Sequence, residues 1–202
     1  DRDLTLPIEL IRKAPTTHTD STGPKRPHHG DDGQVIASLP EMRKGSITVA
    51  LVKVVGRVWR PGSTIWGFRT DPIAYAQAQA HLSWYQYMSE IGELRILSNS
   101  PDLHNHIKEW SDTKDYSKLP IGVIIGMEGA DPIVNPDQLQ QWWKEGLRVV
   151  SLSHYGPSRY SHGTGTGTEG GLFPQAKSLL NEMDRLGIIL DVTHTSDESV
   201  RQ

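Results

Sequence analysis

Two apolar runs in this 202-residue chain each lead to a residue that metals favour. The first, IGVIIGMEGADP, runs from Ile121 to Pro132 and presents Glu128 between Met127 and Gly129. The second, LGIILDVTHTSDES, is apolar from Ile188 and then presents His194. Between them, LRVVSLSHYG leads to His154. A carboxylate oxygen and imidazole nitrogens are zinc ligands, bound at about 2.0–2.2 Å. Each residue also has a plainer reading. Glu128 reads as a solvated loop carboxylate, His194 as a helix-capping or satisfied core histidine, and His154 as part of an ordinary turn. Their shared position, just past consecutive strand-like runs, argues for a common site. Gly126 and Gly129 add to this, because glycine permits close backbone approach beside Glu128.

The elements that must position these groups follow from the pattern. SITVALVKVVGRVW, residues 46–59, reads as a buried strand. DPIAYAQAQAHLSWYQYMSEIG reads as a helix, with Asp71 as N-cap, Pro72 at the first helical position and Gly92 past its end. LRILSN is a short strand and SPDLHNHIKEW a short helix. The rhythm then becomes regular: strand GVIIGM, helix NPDQLQQWWKEG, strand LRVVSLS, a glycine-rich loop, helix GLFPQAKSLLNEMDRLG and strand IILDV. SDESVRQ starts a last helix with Ser196 as cap. Apolar strands alternating with helices are the mark of an α/β fold, parallel strands with crossover helices. In such folds functional residues collect at the C-terminal ends of strands. Glu128 and His194, two strands apart, would then lie roughly 10 Å apart along the backbone, close enough for inward side chains to meet.

Composition bounds the rest. The chain is 36% hydrophobic and 22% charged, which is a globular composition. Its length suits one domain, 1–202, or part of a larger α/β barrel. Net charge is −3, which offers no basic face for nucleic acid. There are no cysteines, so disulfides and thiolate metal sites are excluded. No apolar run approaches the roughly 18 residues of a membrane span, and no signal peptide opens the chain. The compartment is left open, with a soluble cytoplasmic protein preferred over a secreted one. Six Trp suit either an enzyme cleft or core packing. Residues 13–34, polar and rich in Pro, Gly and His, read as a long exposed loop.

Two patterns invite other chemistry and are set aside. HTD, His18 to Asp20, fits an H-x-D metal pair but lacks an apolar strand to hold it, and His28 and His29 read as solvated loop. GTGTEG, Gly165 to Gly170, is a literal G-x-G-x-x-G with Asp191 about 20 residues on, as an NAD site requires. Its first glycine should directly follow a strand, and here about a dozen residues intervene after Ser153.

IGVIIGMEGAD, LRVVSLSHYGPSRYSHGTGTGTEGGLFPQAKSLLNEMDRLGIILDVTHTSDES and the earlier ASLPEMRKG resemble the membrane (renal) dipeptidase family of zinc metallopeptidases, in its bacterial branch. The similarity covers essentially the whole chain and is dense from about 120 to 199. It implies a (β/α)8 TIM-type barrel of the amidohydrolase kind, two zinc ions (Zn2+) and a dipeptide substrate. By the same resemblance Glu128 is the carboxylate that bridges both metals, and His194 is a ligand of the second. His154 contacts the substrate and polarises the scissile carbonyl. The family's own H-x-D pair should lie just upstream of DRDL, and its further histidine ligand, substrate-binding arginine and late aspartate beyond Gln202. The expectation is therefore a partial barrel holding strands two to five, a fragment of a zinc-dependent dipeptidase that is inactive in isolation. Two alternatives stand beside it: a non-catalytic barrel remnant acting as an interaction module, homodimer included, and another metal-dependent hydrolase on the same barrel.

Overall fold

Five short apolar runs rich in β-branched residues become strands, because each can bury both faces once helices cover the sheet. They are β1 (Val49–Val55), β2 (Leu94–Ile96), β3 (Ile121–Glu128), β4 (Leu147–Ser151) and β5 (Ile189–Asp191). The structure is a computed structural model and describes residues 3–13, 36–61, 63, 66–164 and 170–202. All pairings are parallel, in the order β1-β3-β4-β5. The short β2 pairs with the first residues of β3, and β4 pairs with its last four. The sheet thus has the five strands read from the apolar runs, one more than a barrel holding strands two to five would have.

Helices connect them: α1 (Ile8–Lys13), α2 (Leu39–Lys44), α3 (Asp71–Glu90), α4 (Ser100–Asp112), α5 (Leu139–Lys144), α6 (Ala176–Leu186) and α7 (Asp197–Arg201). The sequence reading did not contain α1 or α2, whose six residues each are too few to show a helical period. Of the loop expected over 13–34, Lys13 closes α1, and the remainder lies outside the described residues. That remainder includes His18, Asp20, His28 and His29. Thr70, with extended backbone, caps α3, so Asp71 is its first helical residue and not its cap. α5 is preceded by a 3-10 turn over Pro136–Gln138, where Asn135 and Gln138 form a capping box. α6 starts later than the pattern suggested, because Pro174 disfavours helical backbone at the residue before it. Ser196 caps α7 as expected, its hydroxyl accepting from the Ser199 N–H at 3.2 Å.

One face of the sheet packs on helices. Ile125, Met127 and Val150 meet Ala78 and Leu82 of α3, Leu139 and Trp142 of α5, and Leu179 and Met183 of α6. These side chains are almost fully buried, and truncating any of the large ones to Ala would cost about 2–5 kcal/mol. At the N-terminal end of the strands, Ile121 and Val123 pack with Leu94, Met88 and Trp110 in a second cluster.

The other face carries Lys53, Gly126, Glu128 and Asp191, in line with the register Lys53↔Gly126, Glu128↔Ser151 and Ser151↔Asp191. Lys53 Nζ reaches Asp191 Oδ2 at 2.6 Å. Two strands separate β1 from β5, about 14 Å in a flat sheet and beyond the reach of such a pair. The sheet therefore curls, with this face concave. Gly126 clears the way: a Cβ there would sit 3.0 Å from the Lys53 Cδ that crosses over it.

Candidate metal centre

Glu128 is the last residue of β3, and the chain turns at once through Gly129 at φ +79°. A Cβ on Gly129 would lie 3.2 Å from that of His154, so this turn needs glycine for both conformation and space. His154 follows the end of β4 by three residues and His194 follows the end of β5 by three. Neither is on a strand; each sits where a βα loop begins. Tyr155 and His194 hold φ of +62° and +64°. An L-residue in that region costs about 1–2 kcal/mol, so the surrounding structure must impose it. The restraint is visible at His194, whose carbonyl accepts from Ser153 Oγ at 3.1 Å and from the Thr164 N–H at 2.8 Å.

The three loops bring the side chains together. Glu128 Oε1 lies 3.3 Å from His194 Nε2 and 3.7 Å from His154 Nε2. Candidate ligand atoms of all three residues lie within 4.8 Å of one another. Each side chain is largely but not wholly buried. The Tyr155 ring packs on His194, with centroids 3.9 Å apart, and closes one side. The donor set is one carboxylate and imidazole nitrogen, which suits zinc and other divalent transition metals, and candidate ligand atoms this close together fit one such ion.

His154 differs from His194 in one contact. Arg57 Nη2 lies 2.7 Å from His154 Nδ1. A guanidinium has only donors, so Nδ1 is the acceptor. Burial first, and the Arg57 charge second, push His154 down to about 4, so the ring is neutral at neutral pH. Arg57 is itself anchored through Nη1 to the Trp66 carbonyl at 2.8 Å.

Two further carboxylates shape the surroundings. Asp131, almost fully buried, accepts from the Val58 N–H at 2.8 Å, Arg60 Nη2 at 2.9 Å and the Arg159 N–H at 2.9 Å. It ties the loops after β1, β3 and β4 to one point. Asp191 accepts from Lys53 and from the Thr193 N–H at 2.9 Å, and these hold it down at about 2. This occupies the acid that a dinucleotide would need. Gly165–Glu169 lie outside the described residues, and β4 ends at Ser151, well before them. Arg57, Lys53 and Tyr155 had no place in the sequence reading. Arg57 stands two residues past the end of β1, the topological position that singled out the others, but the sequence reading ran this strand to Trp59 and so left Arg57 inside it.

Residues 3–202 match the membrane dipeptidase family (peptidase family M19). An uncharacterized dipeptidase of Schizosaccharomyces pombe is 32% identical over 91 residues, 44% of this chain and 22% of that protein. Among solved structures, dipeptidase AC, a metallo peptidase of family M19, superposes with TM-score 0.67 at 21% identity, covering 85% of this chain and 51% of that one. A metallo peptidase from Rhodobacter sphaeroides, liganded with a phosphinate mimic of the dipeptide L-Ala-D-Ala, gives 0.64 at 20% identity, covering 85% and 53%. The chain thus spans about half the length of these solved structures, and its match covers about a fifth of the yeast protein. The superpositions show the fold: a parallel α/β sheet with helices, like that of the metallo-dipeptidases.

Proposed function

The chain belongs to the membrane dipeptidase family, and on that premise we propose that its concave face carries part of a zinc-dependent dipeptidase centre. The observation that carries the reading is the convergence of Glu128, His154 and His194 at three consecutive strand ends. Glu128 has two carboxylate oxygens and would be the ligand shared by two zinc ions. His194, with Nε2 facing Glu128, is a ligand of one of them. Zinc held there would supply Lewis acidity and a water activated at neutral pH. His154, with Nδ1 engaged by Arg57, keeps its proton on Nε2 and donates it in a hydrogen bond to the carbonyl oxygen of the scissile bond as charge develops there. Asp131 holds the three loops so that the donor and the ligands keep their spacing.

The described residues offer Glu128 and His194 as ligands, fewer than the three that a catalytic zinc holds. The isolated chain should therefore bind zinc weakly and hydrolyse dipeptides poorly. The test is zinc content after dialysis against metal-free buffer, with L-Ala-D-Ala as first substrate. Weak binding lost in Glu128→Gln supports the assignment. Two tightly held ions, or hydrolysis that survives Glu128→Gln, would overturn it. A second reading, an interaction module pairing with itself, is favoured by the apolar edge strand β5, where Ile189 is 63% and Leu190 43% exposed. A mass that rises with concentration in light scattering would support it.

A further inference from the structure

We propose that Arg57 is a positioning residue that decides what His154 does: by donating to Nδ1 it fixes the proton on Nε2, and so keeps His154 a hydrogen-bond donor instead of a third metal ligand. Geometry carries the first half. An arginine has five N–H donors and no acceptor, so the 2.7 Å contact requires a lone pair on Nδ1. A doubly protonated ring would set N–H against N–H at that distance. A neutral imidazole has a single N–H, which must then be on Nε2. That same Nε2 faces Glu128 Oε1 at 3.7 Å, on the side where His194 Nε2 approaches Glu128.

The consequence is chemical. A nitrogen that carries hydrogen has no lone pair for a metal. With Arg57 in place, the cluster of three is functionally two ligands and one donor. Without it, Nδ1 can take the proton, and the Nε2 lone pair becomes free to join Glu128 and His194. Position alone does not distinguish these states, because the candidate ligand atoms of all three residues already lie within 4.8 Å. Arg57 is well placed for the task. It stands in the loop after β1, a different loop from those that carry the three, and its other terminal nitrogen is fixed to the Trp66 carbonyl at 2.8 Å. The guanidinium is half-buried, so water competes poorly for Nδ1. The metal half of the inference rests on the reading of Glu128 and His194 as zinc ligands; the tautomer half does not.

Two measurements separate these halves. The first is a long-range 1H–15N correlation spectrum of the metal-free, histidine-labelled chain at neutral pH, with His154 assigned by its loss in His154→Gln. The wild type should show the Nε2–H tautomer. Arg57→Met should move the proton to Nδ1 or give an exchanging mixture. A wild-type His154 in the Nδ1–H form overturns the proposal, and this arm needs no variant of Arg57 to fold. An Arg57→Met protein that folds and keeps Nε2–H overturns it equally. The second is zinc titration against a chromophoric chelator. Arg57→Met should bind zinc roughly 10–100-fold more tightly than the wild type, the scale on which a ligand's orienting partner matters. The gain should vanish in Arg57→Met combined with His154→Gln. A gain that persists there would come from removal of a positive charge alone and would overturn the metal half. If the tautomer switches but neither protein binds zinc, control of the tautomer by Arg57 stands and the zinc reading of Glu128 and His194 falls.

Discussion

Replacing Lys53 by Met should destabilise the chain in a way that depends on pH, and the structure fixes both size and sign. Lys53 and Asp191 meet at 2.6 Å across the concave face, with side chains 22% and 19% exposed. Asp191 is lowered from 3.8 to about 2, against a burial effect that alone would raise it; the Lys53 and Thr193 hydrogen bonds do the lowering. A carboxylate whose folded value is depressed adds stability above its unfolded value and loses it as pH falls through the folded one. The shift corresponds to about 2.4 kcal/mol at neutral pH, of which about half is gone at pH 3. The Thr193 bonds supply part of the lowering and survive the substitution, and partial exposure trims the rest, so about 1–2 kcal/mol is the working figure for Lys53. In a domain of this size that is about 2–8 °C in Tm. The measurement is thermal unfolding of wild type and Lys53→Met at pH 7, 5 and 3. The gap should be constant from pH 7 to 5 and roughly halve at pH 3. Lys53→Met combined with Asp191→Asn should recover much of the loss, since the uncompensated buried charge is then gone. An equal gap at pH 7 and pH 3, or a double variant no better than the single, would refute the claim that this pair spans the sheet.

Gly129→Ala should lower stability by about 1–2 kcal/mol for its φ of +79° alone, read as Tm, and should also displace His154, whose Cβ lies 3.2 Å from the new methyl. An unchanged Tm would mean that the turn after Glu128 is not left-handed. Asp131→Asn weakens an almost fully buried acceptor of three hydrogen bonds while Arg60 keeps Asp71 at 3.2 Å, and should cost about 1–3 kcal/mol in urea unfolding. A loss below 1 kcal/mol would show that the three loops do not depend on it. Ser196→Ala removes the cap of α7 and should cost about 1 kcal/mol; no change would mean that the Ser199 N–H finds another acceptor.

The strands were legible because they are apolar throughout and bounded by turn residues, and the parallel order followed from the helices between them. Glu128 was legible for the same reason: a carboxylate at the end of IGVIIGM breaks a pattern that otherwise buries everything. His154 and His194 showed themselves only as the first metal-type residues after such runs. The left-handed backbone of Tyr155 and His194 could not be read, because nothing local marks a Tyr or His as positive in φ; at His194 it is held by the Ser153 hydroxyl and the Thr164 N–H on its carbonyl. Lys53 was hidden differently. It sits inside a strand that otherwise reads as buried and apolar, and its partner is 138 residues away, so its meaning arises only once the sheet curls. Gly126 was read as giving Glu128 room; its observed use is to let Lys53 pass.

Arg57 shows where such reading stops. Once β1 is seen to end at Val55, the position of Arg57 is as suggestive as that of His154 after β4, and position alone would have put it among the substrate contacts. The 2.7 Å contact to Nδ1 gives it a different task, carried out on another residue. The same contact divides three chemically similar candidates into unequal roles. Spacing along the chain can gather a carboxylate and two histidines at one end of a sheet. Which nitrogen keeps its hydrogen is decided by a neighbour 97 residues distant, and that is the step at which a cluster of metal-type residues becomes a site with a donor.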